Sequence, residues 1–261
     1  MKNYRVWGKP PYIVAVVHGG PGVPGYMAPV ARELAKTMGV LEPFQTQYTI
    51  DGQASELANV IREQAAPPVT LIGHSWGAAL SYLTAAKYPE LVKKLILIGT
   101  SPIIAKKGPR PDAIPAYIER FSESERADFF GIVNNLWDDK TEDKNAEFGK
   151  LCYLIEKAET YEALPAKDEV IEYQFGINKS IGQELNNMIE SETLIEAGKK
   201  IKCPVTVIQG DYDTNSTAEV KEALSLIVKD FKFVLLEKCG HYPWLEKFAR
   251  DEFFRILKSV I

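Results

Sequence analysis

Apolar runs with β-branched character recur along the chain between amphipathic stretches, the rhythm of a mostly parallel sheet with helices on both faces. Six runs are expected to be core strands: Ile13 to Val17, Val40 to Tyr48, Val69 to Ile72, Leu95 to Ile98, Val205 to Ile208 and Phe233 to Leu236. Helical patterns fill most of the gaps, at Ala28 to Met38, Ser55 to Gln64, Ala218 to Val228 and Trp244 to Val260. Pro67-Pro68 ends the second of these, and a run of helix formers from Ala78 to Ala86 stops at Tyr88-Pro89. The pattern predicts an α/β fold of about six to eight strands.

Between Ile103 and Lys202 the alternation fails, leaving about 100 residues with helical patterns and no strand signal, against a usual connection of a few residues. The expected organisation is a core of residues 1–102 and 203–261 with a helical insertion at 103–202. Ser122-Glu123-Ser124-Glu125 reads as a capping box inside it, and Phe148, Leu151, Cys152 and Ile155 share one helical face. The Pro-rich stretch Pro102 to Pro115 reads as its hinge. Leaving from the end of a central strand, the insertion is expected to lie as a lid over the carboxyl edge of the sheet, where open α/β folds bind ligands.

At 261 residues, 46% hydrophobic and 25% charged, the chain suits one sizeable domain with room for that insertion. A net charge of -4, without a basic stripe, gives no footprint for nucleic acid. The N-terminus breaks at Pro10-Pro11, too early for a signal peptide, and the next apolar run is too short to span a bilayer, so no membrane association is expected. Cys152, Cys203 and Cys239 are odd in number and widely spaced, unlike a disulfide framework or zinc site, and a reducing cytoplasm is the expected setting. Oligomeric state leaves no mark in the sequence.

Chemistry enters at Gly73-His74-Ser75-Trp76-Gly77, which follows the run Val69 to Ile72. A serine hydroxyl is a weak nucleophile near neutral pH, and G-x-S-x-G between strand and helix lifts it clear of the sheet towards a base. Only three histidines are available. His74 adjoins the serine and is expected to point away from its hydroxyl, and His18 opens a glycine-rich turn valued for its backbone. His241, in the loop after the last strand, is the expected base. Its orienting acid is expected from Gly210-Asp211-Tyr212-Asp213, where both carboxylates qualify by position; Asp211, next to the turn glycine, reads more as a loop brace, which favours Asp213. An oxyanion needs donors, and the backbone N–H groups of Gly20, in His18-Gly19-Gly20-Pro21-Gly22, and of Trp76 are placed to supply them. That glycine loop matches neither phosphate-binding pattern, so no nucleotide, other cofactor or metal is expected.

In order and context, these four motifs resemble the α/β-hydrolase superfamily, over about Met1 to Pro102 and Lys202 to Ile261. Within it, HGGPG with Trp after the nucleophile looks like the proline iminopeptidase group, serine peptidases that release N-terminal residues. That resemblance implies the acid on the last residue of G-x-x-D, here Asp213. The chain departs from the group in carrying His74 where those peptidases usually have glycine, as many esterase-like relatives do. It also has Thr49-Ile50-Asp51-Gly52-Gln53 in place of an arginine-glycine turn, with Asp51 read as a turn carboxylate, and little room before the first strand for more than Tyr4 to Trp7.

The resulting expectation is a cofactor-independent serine hydrolase acting on a small-molecule or short peptide ester or amide. Perhydrolase or lyase chemistry on the same triad, and a slow-turnover ligand receptor, are the alternatives. An aminopeptidase would hold a protonated amine, and residues 103–202 carry 20 acidic against 14 basic side chains, although solvated helix faces account for such an excess more readily. Trp137, Tyr153, Tyr161, Tyr173 and Phe175 are candidates for an apolar pocket or for the core of the insertion.

Overall fold

The computed structural model describes residues 2–101, 116–191 and 193–261, so the expected hinge from Pro102 to Pro115 lies outside the described residues. Seven strands form one sheet: β1 (Tyr4–Trp7), β2 (Tyr12–Val17), β3 (Gly39–Pro43), β4 (Val69–His74), β5 (Val92–Ile98), β6 (Val205–Gly210) and β7 (Phe231–Leu236). Their order across the sheet is β1-β3-β2-β4-β5-β6-β7. β1 runs antiparallel to β3, and every other pairing is parallel.

Helices α1 (Ala28–Leu34), α2 (Ile50–Gln64) and α3 (Trp76–Lys87) alternate with the first strands, and α8 (Thr217–Ile227) and α9 (Arg250–Val260) accompany the last. The period-two alternation of side chains divides the strands between two cores. Leu71, Leu95 and Leu97 join α2 and α3 on one face, through Leu57 and Leu80. Ile72, Ile96 and Ile98 join α1 and α9 on the other, through Leu34 and Phe253. Covered on both faces, β4 is buried along its full length, which is why it reads as a continuous apolar run.

Between β5 and β6 lie α4 (Glu123–Trp137), α5 (Lys144–Glu159), α6 (Phe175–Glu190) and α7 (Thr193–Gly198), with no strand in the sheet among the described residues. Ser122 and Glu125 form the expected capping box of α4. Phe148 of α5 packs with Ile132, Leu136 and Phe175 and with Val23, which lies just beyond the glycine-rich loop.

Several element boundaries differ from the sequence pattern, among them α1, which ends at Leu34, not Met38. β3 ends at Pro43, not Tyr48, and α2 begins at Ile50, where the Thr49 hydroxyl accepts the Gly52 N–H at 3.1 Å. Asp51 thus sits in a first helical turn, where a carboxylate is favoured, and pairs with Lys87. The last helix begins at Arg250, not Trp244, because backbone groups just before it bond elsewhere. Leu245 C=O accepts the Leu164 N–H at 2.7 Å, and Lys247 N–H donates to Glu162 C=O at 2.8 Å.

Candidate active site

Ser75 stands between β4 and α3 with φ 53° and ψ -118°, a left-handed conformation that costs a residue with a side chain about 1–3 kcal/mol. Backbone bonds hold it there. Its N–H donates to Ile98 C=O at 3.0 Å, and its C=O accepts the Ala78 and Ala79 N–H groups at 3.0 and 3.3 Å. Glycine is required on both sides by close approach: a Cβ on Gly73 would lie 2.1 Å from Gly77 O, and one on Gly77 would lie 2.4 Å from Val17 O and His18 O.

His241 and Asp213 are paired, with His241 Nδ1–H donating to Asp213 Oδ2 at 2.9 Å. In the neutral imidazole that bond fixes the tautomer and leaves Nε2 as the acceptor; His241 and Ser75 line one cavity. Three further donors fix the carboxylate: Gln209 Nε2 on Oδ2 at 2.7 Å, and the Asn215 backbone and side-chain N–H groups on Oδ1 at 2.8 and 3.1 Å. Asp211 instead accepts the Cys239 N–H at 3.1 Å, bracing the loop that carries His241. Burial disfavours the His241 imidazolium, but the Asp213 charge, then Glu159, and the hydrogen bond to Asp213 outweigh it and raise its pKa from 6.5 to about 9.

Gly20 has φ 111°, open to glycine and strained for other residues. Asn178 of α6 donates to the Gly20 and Pro21 carbonyls at 3.1 and 3.0 Å, holding the loop from the side of the insertion. Gly20 and Trp76 line the same cavity as Ser75 and His241. The Trp76 indole N–H donates to Gln53 Oε1 at 2.9 Å. Gln53 is a polar residue on the apolar stripe Ile50-Ala54-Leu57-Ile61 of α2, a misfit visible in the sequence.

The other two histidines are buried and kept neutral. His18 Nδ1–H donates to Gly19 C=O at 2.9 Å, and Nε2 accepts the Gln45 N–H at 3.4 Å; burial pushes its pKa down to about 4. It braces the glycine-rich loop from Gly19 to Gly22, so its side chain matters as well as its backbone. His74 Nε2–H donates to His241 C=O at 3.0 Å, and its ring lies 4.8 Å from that of His241. Burial, and then the proximity of His241, hold its pKa well below 6.5. Nothing in the spacing of the sequence marks His74 as a support of the base.

The shared cavity measures about 1640 Å³ and is bounded in part by α5. The charged side chains in its walls are mostly acidic: Asp128, Glu147, Glu156, Glu159, Asp168 and Glu169 against Lys150 and Lys167. Glu156 accepts the Tyr26 hydroxyl, and its pKa is raised chiefly by burial. Of the aromatic candidates, Tyr153 and Tyr173 line the cavity, Phe175 is buried in the core of the insertion, and Trp137 and Tyr161 lie outside the cavity wall. Among the described residues there is no cluster of side chains suited to a metal ion, and no helix is long and apolar enough to cross a membrane.

Comparison with known proteins agrees with this architecture. A proline iminopeptidase of Saccharolobus solfataricus is 25% identical over 289 residues, covering 100% of this chain and 87% of that protein. A 2-hydroxymuconate semialdehyde hydrolase of a Pseudomonas species is 28% identical over 250 residues, covering 90% and 82%. The solved structure of Est816, described as an N-acyl homoserine lactone degrading enzyme, superposes with a TM-score of 0.68 at 16% identity, covering 99% of this chain and 96% of that one. The family model for the alpha/beta hydrolase fold matches residues 28–248, and the chain belongs to that family.

Proposed function

We propose that this α/β hydrolase cleaves a small-molecule ester or amide through a covalent acyl-enzyme on Ser75. The observation that carries the reading is the His241–Asp213 bond at a cavity that also holds a serine at positive φ. His241 Nε2 takes the proton of Ser75 Oγ as the oxygen attacks the substrate carbonyl carbon, and Asp213 supports the imidazolium that forms. The carbonyl oxygen becomes an oxyanion facing the Gly20 and Trp76 N–H groups, each such donor worth about 10²- to 10³-fold in turnover. Collapse breaks the bond to the leaving group, which departs with the His241 proton as an alcohol or amine. Water, deprotonated by the same imidazole, then attacks the acyl carbon and restores Ser75 Oγ–H.

The acidic cavity wall favours a substrate bearing a cationic group, and an N-terminal aminoacyl compound is the form that the proline iminopeptidase relative suggests. Glu156 and Glu159 line the same cavity as Ser75. Labelling by a serine-reactive fluorophosphonate tests the acyl-enzyme chemistry, with Ser75→Ala as the unlabelled control. Rates on a prolyl arylamide and on a short-chain aryl ester then separate the two substrate classes.

A further inference from the structure

The C-terminal end of α5 touches both loops that carry the proposed acid and base. Glu159 C=O accepts the His241 N–H at 2.8 Å. Its buried side chain takes the Thr214 hydroxyl on Oε1 and the Tyr242 hydroxyl on Oε2 at 3.3 Å. Thr214 follows Asp213 and Tyr242 follows His241, so one carboxylate touches the neighbour of each. The backbone contact is close enough to demand glycine: a Cβ on Gly240 would lie 1.9 Å from Glu159 O.

Further bonds fix this end of α5. The buried Glu246 carboxylate accepts the Gly240 N–H at 2.6 Å, the Tyr161 N–H at 2.8 Å and the Glu162 N–H at 3.0 Å. Arg120 donates to Ala158 C=O at 3.0 Å and to Tyr212 C=O at 2.8 Å, linking α5 to the acid loop. Glu159 therefore has little freedom to swing away from the two loops.

The titratable groups facing His241 are Asp213 from the β6–α8 loop, His74 from the end of β4, Tyr242 from its own loop and Glu159 from α5. Burial keeps His74 and Tyr242 neutral, and the two carboxylates of that set, Asp213 and Glu159, are the groups that favour a protonated His241. We propose that Glu159 is a positioning residue for the base: it seats the Asp213 and His241 loops against α5 and stabilises the His241 imidazolium through space as a second carboxylate. This assignment rests on the serine-hydrolase reading above. It gives the inserted helices a part in the chemistry, because any displacement of the end of α5 withdraws a negative charge and a backbone acceptor from the base together.

The test is the pH profile of kcat/KM for an uncharged aryl ester, measured for the wild type and for Glu159→Gln. Loss of the charge is expected to move the acid limb down by about one pH unit and to lower the plateau kcat about tenfold, with KM little changed. An uncharged ester has no amine to bind, so a carboxylate that served only as an amine subsite would leave limb and plateau unmoved, and that result overturns the proposal. Glu159→Asp is the substitute if Glu159→Gln does not fold; it keeps the charge but draws it back from Thr214 and Tyr242, and a smaller shift in the same direction is expected. An unmoved limb in the variant that folds is equally fatal. Fluorophosphonate labelling of the wild type separates the two failures: without it the hydrolase reading falls, whereas labelling with an unmoved limb removes only the role of Glu159.

Discussion

Asp211 and Asp213 are two positions apart on one loop, yet they do different work. Asp213 holds Nδ1 of His241 and is itself held by three other donors, while Asp211 caps the backbone of Cys239. Replacing an orienting carboxylate by an amide disturbs the histidine tautomer, so Asp213→Asn should lower kcat on an aryl ester by about 10³- to 10⁴-fold. Asp211→Asn keeps an acceptor for the Cys239 N–H and should cost less than about tenfold. Steady-state rates of the two purified variants check this, and equal losses would move the orienting role. Position along the chain makes these two the candidates, because a loop after a late strand is where such a fold carries its acid. Residue type does not choose between them: both are Asp, and the direction of each side chain decides which meets the imidazole.

The Gly73–Gly77 turn between β4 and α3 is the element whose sequence and geometry agree most closely. Its two glycines are fixed by contact with backbone oxygens that cannot retreat without breaking β2 or α3. Gly77→Ala places a Cβ 2.4 Å from two carbonyls and should cost about 3 kcal/mol or more, read as a lower urea midpoint together with lost activity. Gly182→Ala on α6 meets nothing within 4 Å and should raise stability by about 0.5–1 kcal/mol, a control for the general effect of removing a helical glycine. The strands were legible because β4 to β6 are covered on both faces and so read as continuous apolar runs. The end of β3 and the start of α9 were less so. Tertiary hydrogen bonds from residues 162 and 164 to the segment before α9 override a helical pattern that extends back to Trp244. The supports of the base were the least legible: Glu159, Glu246 and His74 gain their meaning from where α5 and the base loop lie in space, and no spacing in the sequence records that.

For the whole molecule, the three histidines set opposing pH dependences. His18 and His74 are kept neutral in the fold, with the His18 pKa lowered to about 4, but take up protons near 6.5 when unfolded. Their contribution is present above 6.5 and is lost as pH falls towards 4, at a cost of about 3 kcal/mol for His18. His241 has the opposite sign. Its pKa is raised to about 9, so its contribution is complete below 6.5 and is lost as pH rises through 9. Urea midpoints across pH 4 to 10 should therefore peak near 6.5, and a midpoint still rising beyond pH 8 would contradict this balance. Under the proposed mechanism, ester hydrolysis should increase over the same alkaline range in which stability declines, because the deprotonated His241 it requires is the form the fold stabilises less.

The expectations about activity depend on Ser75 becoming acylated. The most direct measurement is mass spectrometry of the folded protein after treatment with a fluorophosphonate, with the modified peptide sequenced. One adduct per chain on Ser75, absent from Ser75→Ala and strongly slowed in His241→Ala, is the predicted result. A folded protein that gains no adduct, or carries it on another residue, would contradict the account.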